Sequence, residues 1–510
     1  MSRKKIDWIF FLILALAAAL RLYNLGAESI WYDEISVVNR MTRGLSYLLY
    51  GGHQGPPHFL VMRLFTGVFG VSAAALRLPS VIFSLLSLAL IYKLAFRLFN
   101  EKTALVSALL FAISPFNIFY SQDASYYSLY LFLALLSVWL FVKILYEDES
   151  GYAGAIGYVI VSILACLTSV LSILIIFVQN IIFFLRKKTF SRRWIFLQLV
   201  IFLSVVIWFT VMSGAYFTRE TEFFHARTGW IQMPDSASLI DTFKTFCYGG
   251  ERYGGSDVTV SLTPAWIPIA LSSILTVFFF IGLLRSKDYT KALLLLLWIV
   301  VPISVLYVYS VLVRPLYVIR YLIYCVPAFY ITVGIGIADI RNRYLRLGMV
   351  LAIVLMMAVP LQAYYAQDLK IPWRDIIADI NSQSRKGDLV IVSEAKQVQL
   401  FGYYGEDGAL YFGKAPEALG ANLDLIRGGT IHQLGKYSLV GVNDASQLSS
   451  VPIRTFIENN NRLWLLLTRW SRNSESIKAY IEDRRPLRLY RRYDGAALYY
   501  CPATDADRKG

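Results

Sequence analysis

The sequence predicts a membrane all-α bundle of about eleven transmembrane helices followed by a smaller extracytoplasmic α/β domain, and three observations lead there. Apolar runs of about 20 residues, the length that a bilayer crossing requires, recur from Ile6 to Leu361. Hydrophobic residues fill 57% of the 510 positions and mean hydropathy is +0.54, too apolar for a chain whose whole surface faces water. Beyond residue 365 the rhythm changes to short apolar runs alternating with amphipathic ones.

The expected spans are 6–24, 78–98, 102–120, 126–146, 152–167, 168–185, 194–213, 264–284, 290–310, 320–340 and 345–362, with 152–185 also readable as one long hairpin. The chain begins Ser2-Arg3-Lys4-Lys5 and enters an apolar run that no small-residue cleavage site follows, so the first span reads as uncleaved with a cytoplasmic start. Alternating sides from there places the basic short connections together: Lys93, Arg97 and Lys102; Arg186, Lys187, Lys188, Arg192 and Arg193; Arg285, Lys287 and Lys291; Arg341, Arg343 and Arg346. This is the positive-inside pattern, to which the acidic connection Glu147-Asp148-Glu149 is the exception. It accounts for a formal net charge of +15 without nucleic acid. Loops 25–77 and 214–262 then fall outside, as does everything from about 365, giving a membrane domain over 1–364 and an external domain over 365–510.

In the external domain, Trp373, Ile376, Ile377 and Ile380 mark an amphipathic helix over 373–384 that ends near Gly387. Leu389 to Val392 and Leu463 to Leu467 read as strands, and 474–483 as a further helix. Alternation of this kind predicts a small α/β domain. It carries no glycine-rich phosphate loop, so it reads as a structural or acceptor-docking cap. The cysteines at 166, 247, 325 and 501 show no metal-ligand spacing, and pairing of Cys247 with Cys501 is not expected.

The residues able to do chemistry cluster on the expected outer face. Trp31-Tyr32-Asp33-Glu34 follows the first span, putting paired carboxylates near the bilayer surface, where a carboxylate can take a proton from a hydroxyl. His53 and His58 bracket Gly55-Pro56-Pro57, a rigid turn that keeps the two imidazoles off one helix face. At the outer end of the third span, Gln122 and Asp123 precede Tyr126 and Tyr127. Arg314 and Arg320 flank Pro315 on the side that the positive-inside bias disfavours, and a guanidinium there suits a phosphate or a lipid headgroup. The loop 214–262 adds Arg219, His225, Arg227, Trp230 and two glycine pairs, a composition suited to a mobile lid or an ordinary flexible loop.

Taken in order, Arg21-Leu22-Tyr23 leading to Trp31-Tyr32-Asp33-Glu34, Gly55-Pro56-Pro57-His58-Phe59-Leu60, Arg77-Leu78-Pro79-Ser80, Ser114-Pro115 leading to Tyr120-Ser121-Gln122-Asp123, Tyr127-Ser128-Leu129, and Arg320-Tyr321-Leu322 with Pro327 resemble the GT-C superfamily. The likeness is to its bacterial branch, similar to protein O-mannosyltransferases and the lipid A aminoarabinose transferase. That resemblance implies an inverting glycosyltransferase of the GT-C type, using a polyprenyl-phosphate sugar donor at the outer face of the cytoplasmic membrane. The acceptor would be a protein, lipid or glycan hydroxyl. It implies Asp33 as catalytic base, Glu34 as its acceptor-orienting partner and Asp123 as a second external acid. Arg320, Arg314, His53, His58, Gln122, Tyr127 and Tyr321 are then the candidate substrate-binding residues. Ser125 and His58 depart from the family pattern, which shifts the phosphate contacts toward Arg320. Membrane lipids are the other expected partners and nucleic acid is not. No cofactor is expected to be essential, although an Asp–Glu pair is compatible with a divalent cation. The competing class is a polytopic lipid or glycan transporter or flippase, which would need charged groups near the bilayer midplane, where this chain carries almost none. A non-catalytic membrane scaffold is a third reading, opposed by the external carboxylates.

Overall fold

The computed structural model describes residues 3–41, 55–146, 151–187, 191–217, 231–249, 263–367, 369–405, 428–434, 436–458, 462–469 and 471–502. The chain forms two compact units, Met1–Leu25 with Leu45–Gln367 and Gly26–Gly44 with Asp368–Gly510. The expected boundary at 364/365 lies next to the observed one, but the second unit also takes in the segment after the first span.

The helices of the first 370 residues are α1 (Arg3–Leu22), α2 (Tyr32–Met41), α3 (Pro56–Phe69), α4 (Ala73–Leu98), α5 (Glu101–Ala112), α6 (Pro115–Ser121), α7 (Tyr127–Tyr146), α8 (Gly151–Thr168), α9 (Ser172–Lys187) and α10 (Arg192–Phe217). They continue with α11 (Ser236–Tyr248), α12 (Trp266–Arg285), α13 (Tyr289–Leu312), a 3-10 helix over Ile319–Cys325, α14 (Val326–Ala338) and α15 (Arg343–Ala366). Among the described residues eight helices are long and apolar enough to cross a membrane, or nine when α5 and α6 are joined across their 61° bend. Eleven spans are expected from the sequence. The first of these is the 20-residue α1, and 152–185 divides into α8 and the 16-residue α9.

The bend between α5 and α6 has a local cause. Pro115 supplies no backbone N–H and biases Ser114 away from helical geometry, so α6 restarts with the Ser114 hydroxyl accepting from Asn117 N at 3.4 Å. The carbonyls left at the end of α5 are taken up by Arg21, whose guanidinium donates to Ala112 O at 2.9 Å and Phe111 O at 3.2 Å, and whose Nε donates to Ser84 Oγ at 2.8 Å. A fully buried cation at a helix C-terminus meets both the orphan acceptors and the negative end of the helix dipole. Arg21 in the Arg21-Leu22-Tyr23 motif is thus a structural tie.

Helices α12 and α14 touch through glycines. A Cβ on Gly336 would stand 2.1 Å from Phe278 O, and one on Gly282 would stand 1.9 Å from Thr332 O. Small residues let backbones approach this closely where no hydrophobic effect drives helix association. Gly336→Val is therefore expected to push the helices apart and lower stability by about 1–3 kcal/mol, read as a fall in thermal unfolding temperature in detergent.

In the second unit, α16 (Trp373–Gln383), β1 (Asp388–Val392), α17 (Val398–Tyr404), β2 (Ile431–Leu434), β3 (Tyr437–Gly441), α18 (Val451–Glu458), β4 (Leu463–Thr468), α19 (Ser474–Glu482), β5 (Arg488–Tyr493) and β6 (Ala496–Cys501) build a six-stranded sheet of order β2-β3-β1-β4-β6-β5. β1 runs parallel to β3 on one side and β4 on the other, and β2, β6 and β5 add antiparallel edges. Every residue of β1 is buried, as its unbroken Leu-Val-Ile-Val run requires of a central parallel strand. The α/β domain and its predicted helices and strands are present as the sequence reads them. The four cysteines are buried free thiols.

Candidate active site

The acidic pair sits in the second unit. Tyr32, Asp33 and Glu34 form the first turn of α2, where carboxylates complement the helix dipole. Glu34 accepts at 3.4 Å from the backbone N–H of Trp31, the residue just before the helix, where an N–H lies outside the intrahelical ladder. Its carboxylate also meets Lys370 Nζ at 3.2 Å, with the two side chains 0% and 4% exposed. Glu34 is thus buried and committed, whereas Asp33 is half-buried. Glu34 holds Lys370 and the start of the helix.

This short segment is bound firmly within its unit. Ile30 N donates to Tyr404 Oη at 2.6 Å, Leu369 N to Glu28 Oε1 at 2.8 Å and Arg374 N to Ser29 Oγ at 3.1 Å, while Asn39 Nδ2 donates to Gln399 Oε1. Ile35, Val37, Val38 and Met41 are buried along the helix. Two ammonium groups lie over two successive rings, Lys370 Nζ at 5.8 Å from the Trp31 centroid and Lys396 Nζ at 4.8 Å from that of Tyr32. Burial pulls the Lys396 pKa down, but Glu394, Tyr32 and Asp33 outweigh it, so the net shift is upward and the ammonium stays charged.

The other candidates belong to the membrane unit. Asp123 is fully buried in the turn between α6 and α7. Ser80 Oγ donates to Ser125 O at 3.5 Å and Ser128 Oγ to Tyr120 O at 2.9 Å, which pins the turn. Gln122 is a cross-tie: its amide nitrogen donates to Tyr23 O at 2.7 Å and Arg21 O at 3.0 Å, and its carbonyl accepts from Tyr364 Oη at 2.6 Å.

Arg320 lies in the 3-10 helix, 7% exposed, with its guanidinium carbon 5.9 Å from the Tyr321 ring. The Tyr321 ring stacks on Tyr127 at 6.5 Å, and Tyr127 meets Tyr120 at 4.8 Å and Tyr126 at 4.5 Å. His58, 3% exposed, stands edge-on to Tyr126 at 6.5 Å. Three residues named separately from the sequence, Arg320, Tyr321 and Tyr127, thus form one continuous set, with His58 at its end. Arg314 is exposed on the connection before it. Pro56 and Pro57 do not make the expected turn; they open α3, where a missing N–H costs nothing. Gly55 before them has no space for a side chain, since a Cβ would fall 1.2 Å from Leu167 O. His53 and the loop residues Arg219, His225, Arg227 and Trp230 lie outside the described residues. Among the described residues no three His, Cys, Asp or Glu side chains are grouped to hold a metal ion.

The family described as dolichyl-phosphate-mannose-protein mannosyltransferase matches residues 53–210. The crystal structure of ArnT from Cupriavidus metallidurans in the apo state is similar at 12% identity over 97% of this chain and 98% of that one, with a TM-score of 0.59. The same enzyme bound to undecaprenyl phosphate gives 13% identity, the same coverages and a TM-score of 0.56. An apo oligosaccharyltransferase from Archaeoglobus fulgidus gives 12% identity over 99% of this chain and 75% of that one, with a TM-score of 0.50. No curated protein matches the sequence.

The chain has the GT-C fold of the ArnT structures.

Sequence reasoning missed Lys370, Glu394 and Lys396 on this GT-C frame. No local pattern marks them, because the Lys370 and Glu34 positions are separated by 336 residues and only the tertiary fold pairs them. One signal was available. A Trp-Tyr-Asp-Glu turn rich in groups that attract cations calls for cations from elsewhere in the chain.

Proposed function

We propose that the chain is an inverting glycosyltransferase that moves a sugar from a polyprenyl-phosphate donor to an acceptor hydroxyl at the outer face of the cytoplasmic membrane. The observation that carries this reading is the division of labour within the acidic pair. Glu34 is buried in an ion pair that holds the segment, and Asp33, half-buried in the first turn of the same helix, presents the neighbouring carboxylate. A carboxylate in that setting serves as general base toward the attacking hydroxyl.

In the membrane unit, Arg320 with the Tyr321 and Tyr127 rings suits the leaving phosphate, since a guanidinium stays charged and matches oxyanion geometry. The match to a structure with bound undecaprenyl phosphate supports a polyprenyl-phosphate donor. Within the membrane unit, buried Asp123 is read as a further acid and exposed Arg314 as a headgroup contact. The polyprenyl tail would remain in lipid, and the acceptor is a protein, lipid or glycan hydroxyl. The N-terminus is placed in the cytoplasm and the C-terminal domain outside, following the positive-inside pattern.

The test is transfer of sugar, with release of undecaprenyl phosphate, from undecaprenyl-phosphate-linked hexoses and pentoses to the hydroxyls of an added cell-envelope extract of protein, lipid and glycan, by the purified full chain in liposomes. Turnover of at least one donor is expected, with and without a chelator, and turnover of none would overturn the reading. Mass spectrometry of envelope glycans from cells with and without the protein identifies the sugar and acceptor. Arg320→Ala is expected to weaken binding of undecaprenyl phosphate about 10- to 100-fold, the loss of a charge-assisted hydrogen bond. Unchanged affinity in a nanodisc binding assay would assign the phosphate to another cation.

A further inference from the structure

Lys396 belongs to the C-terminal domain, in the 3-10 turn at the carboxyl end of β1. That end of a parallel strand whose neighbours lie to either side is where open α/β sheets place functional groups. The ammonium has a fixed anchor: Glu394 Oε1 meets it at 2.7 Å, while Glu394 Oε2 accepts from Gln397 Nε2 at 2.6 Å. From this anchor it reaches the Tyr32 ring, 4.8 Å from the centroid. Tyr32 immediately precedes Asp33, so the residue gripped and the residue that would react share one helical turn. Among the described residues, the charged groups at that turn are Lys396 with its anchor Glu394 and the Lys370–Glu34 pair, with Tyr404 from α17 on the segment before it. Among the described residues, Lys370 pairs with Glu34 and Lys396 lies over the Tyr32 ring, next in sequence to Asp33.

We propose that Lys396 is a positioning residue for sugar transfer: anchored on Glu394, it clamps the Tyr32 ring and holds the Asp33 carboxylate where an acceptor hydroxyl can reach it. The C-terminal domain then has a part in catalysis rather than serving only as a cap. A base must lie within hydrogen-bond reach of the proton it takes, and a displacement of about 1 Å costs about 100-fold in rate. This inference rests on the reading of Asp33 as the base.

The test compares Lys396→Met, Lys396→Arg and Tyr32→Leu in the full chain, with the best undecaprenyl-phosphate-linked donor from the liposome assay. Lys396→Met is expected to lower kcat about 10- to 100-fold, with the donor KM unchanged within about twofold. Arginine keeps both the charge and the ring contact, so Lys396→Arg is expected to retain most of the parent kcat. A kcat for Lys396→Met equal to the parent's, or an arginine variant as slow as the methionine one, overturns the proposal. Should Lys396→Met fail to fold, Tyr32→Leu decides: a lower kcat at constant donor KM supports the clamp, and an unchanged kcat overturns it. Asp33→Asn in the same assay separates the two readings. Full activity there removes the base and the clamp together, whereas an inactive Asp33→Asn beside an unaffected Lys396→Met removes the clamp alone.

Discussion

Asp33→Asn is expected to reduce sugar transfer about 100- to 10,000-fold, the range that a positioned general base contributes, while binding of undecaprenyl phosphate stays unchanged. The asparagine has nearly the same shape and keeps its place in the first turn of α2, so a loss of rate without a loss of donor affinity isolates the proton transfer. Glu34→Gln tests the other half of the pair. Glu34 is held by Lys370 and Trp31 N, so its effect should be on stability rather than on the chemical step. Retained transfer in Asp33→Asn would take the base role away from this carboxylate.

The second large effect is expected at the buried ion pair. Lys370→Met leaves the Glu34 carboxylate, 0% exposed, without its cation, and breaking such a pair from one side costs about 3–5 kcal/mol. The segment from Gly26 to Met41 should then detach from its unit, read as faster hydrogen exchange over Ile30 to Met41 and early proteolytic cleavage there. The double variant Glu34→Met with Lys370→Met removes both charges and should recover most of the lost stability, because apolar replacement of a whole buried pair is often neutral. A double variant as unstable as the single one would place the energy in contacts other than the charge pair.

How much was legible beforehand follows from how local each feature is. The spans were legible because a helix in lipid must satisfy its backbone hydrogen bonds within itself, so each one shows as an apolar run. Even there, Pro115 bent one expected span, and another is a helix of 16 residues. The central strand of the C-terminal sheet was legible because burial on both faces demands an unbroken apolar run. The edge hairpin of Arg488–Tyr493 and Ala496–Cys501 was not, since its burial is partial and its alternation weak.

For the site, the sequence by itself determined which side chains could do chemistry: the Asp33–Glu34 pair, Arg320, and the tyrosines at 127 and 321. Only the tertiary structure decided what each one touches. It buried Glu34 against Lys370 and committed Gln122 to three backbone carbonyls and Tyr364. It also joined Tyr127 to Tyr321 across nearly two hundred residues and brought Lys396 over Tyr32. The physical reason is that hydropathy and helix capping act over a few neighbouring residues. Ion pairs and ring contacts act over a few ångströms between residues that the chain order leaves far apart.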